Sequence, residues 1–240
     1  METKTYDVRK KKWEEKSKEY KLDSTREATF VLTVKNTLRL LKNKREGKIL
    51  DIGCGFGEID ILLAQNSNFD ITACDISEIA LRNAQENIKR EGLSNRIKVE
   101  EGDVYNLKYP DGFFDIVLSF GYVSVATYPG VQKEVVRVLK PGGILICDFI
   151  NCLSFYKLFS SLKRALRKKE FPYYISLNGI RREFKKEGLI FLEQSFFNTY
   201  PPIDLNLGPA VFLHFEESVG KIFKSFLGRV RLVSFQKAKG

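Results

Sequence analysis

The sequence predicts an α/β protein built on a doubly wound sheet, and three observations carry that prediction. From position 48 to 150, short β-branched runs alternate with amphipathic stretches of helical period, the pattern of a parallel sheet covered by helices on both faces. The first of these runs leads straight into the glycine-rich turn Asp51-Ile52-Gly53-Cys54-Gly55-Phe56-Gly57. Later runs finish on or just before carboxylates, Asp75 and Asp103.

Taken in order, residues 6–45 form a polar, basic segment in which Ala28, Val31, Leu32, Leu38 and Leu41 keep helical spacing behind Ser24 as N-cap. It reads as a helical cap over the sheet. Strands are expected at 48–52, 69–75, 97–101, 114–120 and 143–149, each short and apolar enough to be buried. Ser77 is a good N-cap for a helix that turns Ile79, Ala80, Ala84 and Ile88 to the core and stops at Gly92. A second helix carries Val131, Val135 and Leu139 and is closed by Pro141-Gly142-Gly143. Residues 151–228 are aromatic and basic, with one helix and one strand expected within 180–197, and a last strand is expected at 229–236. The organisation is therefore one domain over 1–240: a cap (1–46), a core (47–150), a substrate-lid region (151–228), and a last strand and tail (229–240).

With 40 basic against 30 acidic residues, the formal charge of +10 favours anionic partners such as RNA, an anionic membrane surface or acidic small molecules. The same charge also suits an ordinary lysine-rich surface. No apolar run approaches the ~20 residues that span a bilayer, and positions 1–12 show no secretory leader, so the expected location is cytoplasmic, with peripheral contact at a membrane surface as an option. Cys54, Cys74, Cys147 and Cys152 form no Cys-x-x-Cys pair, and the single histidine, His214, is remote from them, so no metal site is expected. Buried thiols acting as small apolar residues explain these cysteines better than redox chemistry.

The glycine turn makes chemical sense if a polar, bulky cofactor lies against bare backbone where the first strand enters its helix. A dinucleotide fingerprint would place its third glycine at 58, which is Glu58, a poor neighbour for a pyrophosphate. Asp75, ending the second strand, is placed to accept hydrogen bonds from ribose hydroxyls, with Ile76 against the adenine. Asp103 is placed to accept from the adenine amine, with Val104 packed on the base.

Residues 49–57, Asp75, Gly102-Asp103, residues 114–119 and Arg137-Val138-Leu139-Lys140-Pro141-Gly142-Gly143 resemble the successive motifs of class I S-adenosylmethionine-dependent methyltransferases, over positions 48–150. The resemblance implies a Rossmann-like, doubly wound, seven-stranded sheet, mostly parallel with an antiparallel last strand. It implies S-adenosyl-L-methionine as cofactor and S-adenosyl-L-homocysteine as product. Asp51 and the backbone of Gly53, Cys54, Gly55 and Gly57 would then hold the methionine end, Asp75 the ribose and Asp103 the adenine, with Ser119 and Phe120 lining the other side.

The activity so implied is methyl transfer by in-line displacement to a small-molecule or lipid-like acceptor, a reaction whose barrier falls mainly through alignment. Methylation of RNA or protein, and a non-catalytic cofactor-binding subunit, are the alternatives. A hydroxyl or carbon-acid acceptor would need a general base, for which His214, Tyr122, Tyr128 and Asp148 are candidates. The apolar surroundings of His214, Val211-Phe212-Leu213 and Phe215, read as those of a packed structural histidine. Ser119-Phe120-Gly121-Tyr122 lacks both the Asn/Asp-Pro-Pro-Tyr pattern of similar amino-methylating enzymes and a cysteine for pyrimidine C5 chemistry.

Residues 155–169 can form a helix with Phe155, Leu158, Phe159, Leu162 and Leu166 on one face and a strongly basic opposite face. Three readings stay open: a core helix, a lid on an anionic membrane admitting a prenylated quinone or lipid-linked molecule, or an RNA contact with Phe171, Tyr173 and Tyr174 as stacking platforms. Residues 200–203 and 205–215 would cover the crevice and shape an apolar acceptor pocket. Together with Trp13 and Tyr20 of the cap, they would exclude water from the sulfonium.

Overall fold

The computed structural model describes residues 6–121, 130–151, 154, 177–199, 208–219, 223–224, 227–228 and 230–239. Two helices, α1 (Tyr6–Lys18) and α2 (Ser24–Leu40), precede the sheet. The elements then run β1 (Glu46–Ile52), α3 (Glu58–Gln65), β2 (Asn68–Asp75), α4 (Glu78–Arg90), β3 (Ile97–Glu101), β4 (Phe114–Ser119), α5 (Val131–Val138) and β5 (Leu139–Ile150). They close with α6 (Leu177–Lys186), β6 (Leu189–Phe197), α7 (Pro209–Ser218) and β7 (Val230–Lys237).

All seven strands join one sheet in the order β3-β2-β1-β4-β5-β7-β6. The β1, β2, β3, β4 and β5 pairings are parallel, and β7 runs antiparallel between β5 and β6. The doubly wound expectation and its antiparallel last strand are both met. The order reverses between β1 and β4, so the crevice where such folds take ligands opens beyond the carboxyl ends of those two strands.

Strand alternation sorts the core into two layers. On one face Ile49, Ile71, Ile116 and Ile146 pack with Leu32 of α2, Leu63 of α3, and Ala84 and Ile88 of α4. On the other, Leu50, Val117, Leu145 and Val233 pack with Val131 and Val135 of α5 and with Ile180 and Phe184 of α6. Cys54, Cys74 and Cys147 are free and buried, as small apolar residues would be.

Two local expectations are corrected. The N-cap of α2 is Asp23, not Ser24: Asp23 is extended (φ −121°, ψ 166°) and its carboxylate accepts from Arg26 N at 2.8 Å, leaving Ser24 as the first helical residue. Pro141-Gly142-Gly143 does not stand between helix and strand but lies within the irregular start of β5, where pairing jumps from Phe114↔Leu139 to Ile116↔Ile144. A bulge accommodates the missing proline N–H. Gly143 is required there, since a Cβ would sit 2.8 Å from Lys140 O. Ser77 caps α4 as expected, accepting from Ala80 N at 3.2 Å.

Candidate functional site

Strand parity brings three carboxylates to one face and one edge of the sheet. Asp51 follows Ile49 on the face covered by α3, Asp75 follows Ile71 and Ala73, and Asp148 follows Ile146. Registers of Asp51 with Ala73 and of Ser119 with Cys147 set these residues at or near the carboxyl ends of their strands. Phe120 is buried on that same face, whereas Ser119 shares the opposite parity with Val117.

The glycine turn is held down from beneath. Gly53 N and Cys54 N donate to Cys74 O at 2.8 and 3.0 Å, and Gly57 N donates to Cys54 O at 3.1 Å. Gly53, Gly55 and Gly57 have φ of 81°, 59° and 82°, the left-handed region that side chains disfavour. Their surroundings differ. A Cβ on Gly57 would touch Ala84 Cβ and Ile88 Cδ1 at 3.4 Å, so that glycine packs the turn on α4, while a Cβ on Gly55 would meet nothing within 4 Å. Open space therefore lies over Gly55.

Asp75 ties the turn to the next helix, accepting from Gly55 N (3.1 Å) and Ser77 N (2.9 Å). Beyond β3, Gly102 N donates to Asp75 O at 3.0 Å, and Asp103 Oδ1 accepts from Tyr105 N at 3.1 Å. Ile76 and Val104 are half-buried beside these two acids.

Burial sets the electrostatics. It pushes the Asp51 carboxyl up to about 7, against a hydrogen bond from Asp60 and with the Asp75 charge adding to the rise. Burial likewise raises Asp75, opposed by the amides of Ser77, Gly55 and Ile76. Asp148, pushed up to about 7 by burial against the hydrogen bond it accepts from Gly121 N at 2.9 Å, is a carboxyl that titrates near neutrality. Apart from the Asp60 carboxyl, Asp51 Oδ1 is buried without a hydrogen-bond donor. A ligand bringing an ammonium or hydroxyl to the turn would supply what the protein withholds, so the residues present fit a donor with an amino-acid end, and the space over Gly55 admits it.

Sequence reasoning missed how α1 covers this edge. Arg9 Nη2 pairs with Asp103 Oδ2 at 2.5 Å, Lys10 Nζ reaches Glu78 and Glu101 at 2.7 Å each, and Tyr6 donates to Glu101. Glu14 accepts from Glu78 N at 2.6 Å, and Ser17 Oγ meets Ser77 Oγ at 3.0 Å. Past α1, Tyr20 packs at a tilt against Phe56 of the glycine turn (centroids 4.3 Å apart, planes at 49°) and donates to Glu58 at 2.6 Å. Trp13, by contrast, carries the ammonium groups of Lys12 and Lys16 over its ring. Also missed was Asp60, fully buried on α3, although its place three and four residues before Leu63 and Ala64 marks it as a polar residue within an apolar stripe.

His214 is not packed. It is exposed on α7, whose buried residues are Phe212 and Glu216, so the apolar run around it winds its histidine outward. Tyr122, Tyr128, the basic stretch 155–169, Phe171, Tyr173, Tyr174 and positions 200–207 lie outside the described residues. Among those described, no helix is long and apolar enough to cross a membrane.

A family model described as a methyltransferase domain matches residues 49–143. Demethylmenaquinone methyltransferase of Geobacillus stearothermophilus is 35% identical over 163 residues, covering 62% of this chain and 69% of that protein. The enzyme of the same name from Listeria welshimeri is 34% identical over 116 residues, 47% of this chain and 49% of its own, so the chain spans about half the length of several curated relatives it matches. A structure described as a sarcosine dimethylglycine methyltransferase from Galdieria sulphuraria superposes with a TM-score of 0.60 at 19% identity, covering 88% of this chain and 86% of the other.

Proposed function

This chain belongs to the class I S-adenosylmethionine-dependent methyltransferases, and from that premise we propose that it methylates a small lipid-like acceptor. The placing of Asp51, Asp75 and Asp103 at or just past the carboxyl ends of β1, β2 and β3, with open space over Gly55, is the observation that carries the assignment of roles. Bound there, S-adenosylmethionine supplies an electrophilic methyl group on a sulfonium. Asp51 and the backbone at Gly53, Cys54, Gly55 and Gly57 hold its amino-acid end. The Asp75 carboxylate, already oriented by two amides, keeps lone pairs for the ribose hydroxyls. Asp103 receives the adenine amine, with Ile76 and Val104 on the ring and Ser119 and Phe120 on the far side.

Asp148 is the group we assign as general base. It stands on the same face and edge as Asp51, and a carboxyl near pH 7 both accepts a proton and returns it to solvent in the working range. The lipid-like acceptor is supported by the demethylmenaquinone methyltransferases among the relatives and by the aromatic composition of positions 151–228.

Incubation with S-adenosylmethionine labelled in its methyl group and fractionated cell extract tests this reading. Label that passes into organic solvent is the expected result, whereas label confined to RNA or protein overturns the lipid acceptor. Titration with S-adenosylhomocysteine checks the cofactor site independently.

A further inference from the structure

Asp60 is a buried carboxyl that the reaction described above leaves without a task. It is 0% exposed and Asp51 is 2% exposed, and both Asp60 oxygens join Asp51 Oδ1 in having no donor from the surrounding protein. Parity points Asp51 at the face covered by α3, the helix that carries Asp60, and the two carboxyls come within hydrogen-bond reach of each other. Two acceptors can share such a contact only through a proton.

Among the described residues, no cation acts on the pair. The titratable groups that face it are Asp75 on β2, Glu58 on α3, Asp148 on β5, and the thiols of Cys54 and Cys74, with Glu14 of α1 acting on Asp75. Each is an acid or a thiol. Burial and this company raise Asp60 well above the ordinary carboxylate range, as they raise Asp51.

We propose that Asp60 is a positioning residue for the methyl donor: with Asp51 it holds protons in the ligand-free protein, and the ammonium of the donor's amino-acid end displaces one of them. The O–H bond breaks at the carboxyl, its electrons stay on the carboxylate facing the ammonium, and the proton leaves to the buffer. Asp60, retaining its own proton, donates to Asp51 and fixes which oxygen lies free for the ligand. The inference rests on the cofactor reading above.

Linkage gives the sign: binding favours the deprotonated form, so affinity falls as pH drops below the midpoint of the ligand-free pair. Calorimetric titration of S-adenosylhomocysteine, which has the same amino-acid end, is run in buffers of different ionisation enthalpy. Most of one proton is expected to be released near pH 6 and well under half near pH 7.5, with Kd about 8-fold weaker at the lower pH. Asp60→Asn, whose carboxamide donates to Asp51 as the protonated carboxyl does, is expected to keep both the release and the pH dependence, whereas Asp60→Leu, which offers Asp51 no donor, is expected to shift both to higher pH. Where that variant does not fold, the infrared difference spectrum of the unaltered protein decides: a protonated-carboxyl C=O band is lost on binding.

Binding without proton release, an unchanged carboxyl band, or an Asp60→Leu variant whose pH dependence does not move overturns the inference and leaves the cofactor reading standing. Absence of binding at either pH overturns both.

Discussion

Arg9 Nη2 lies 2.5 Å from Asp103 Oδ2, and the same guanidinium sits 4.4 Å over the centre of the Tyr105 ring. A cation of α1 thus engages the carboxylate assigned to the adenine amine. For the ligand to reach Asp103, Arg9 has to move or share it.

Arg9→Gln is expected to speed association of S-adenosylhomocysteine about 5-fold. The two side chains are 16% and 18% exposed, which places the pair near the upper end of surface ion pairs, about 1 kcal/mol. Trp13 is the chain's single tryptophan and lies on α1, so its fluorescence in a rapid-mixing experiment reports the movement directly. An unchanged rate would show that α1 does not stand in the way.

Gly55→Ala and Gly92→Ala should separate ligand approach from backbone strain. Both positions have positive φ, 59° and 70°, and a Cβ at either meets nothing within 4 Å, so each variant loses about 1 kcal/mol in thermal or denaturant unfolding. Only Gly55→Ala puts a methyl group into the space assigned to the cofactor. Its affinity for S-adenosylhomocysteine should fall ~10-fold or more, while that of Gly92→Ala stays within twofold; equal affinities in the two would remove Gly55 from the site.

Asp148→Asn is expected to raise stability at pH 8 and leave it nearly unchanged at pH 4. A half-buried carboxyl pushed up to about 7 costs stability progressively as pH rises from the usual carboxylate range of about 4 towards 7, so removing the charge recovers roughly 1–2 kcal/mol at alkaline pH. Methyl transfer should fall by about 100-fold and lose its rise through pH 7. A variant that kept its activity would show that Asp148 is not the base.

Asp115 gives the opposite sign. Although burial pushes it upward, the Lys48 amide and the ammonium groups of Lys140 and Lys44 hold it down to about 2. It therefore stabilises the fold above about pH 4, and that contribution disappears as pH falls through 2. Asp115→Asn should lower the melting temperature at pH 7 and have little effect at pH 2. Standing at the amino-terminal end of β4, away from the crevice, it should leave S-adenosylhomocysteine binding intact.

The parts of the site legible in the sequence are those encoded locally. Gly53, Gly55 and Gly57 announce a turn by residue type, and Asp75 is recognisable because it ends a strand and precedes the Ser77 cap. Asp60 was visible only as a polar residue in an apolar stripe, and its partner became identifiable once β1 and α3 were stacked. Arg9 left no trace at all, because its partner is 94 residues away and helix α1 has no apolar face to orient it. The start of β5 is ambiguous in the sequence for a different reason: proline and two glycines punctuate a helix end and a bulge alike, and only pairing with β4 tells them apart.

That α1 buries none of its residues makes it an unusual kind of cover. Its attachments to the sheet edge are carboxylates, ammonium groups and hydroxyls, whereas the layers beneath are fastened by hydrophobic contact. Ions in solution screen the former and scarcely touch the latter; at 0.1 M salt such attraction already fades over about 10 Å. Salt is thus a dial chiefly on the covering helix: as it is turned up, the entrance loosens while the apolar layers that shape it stay where they are.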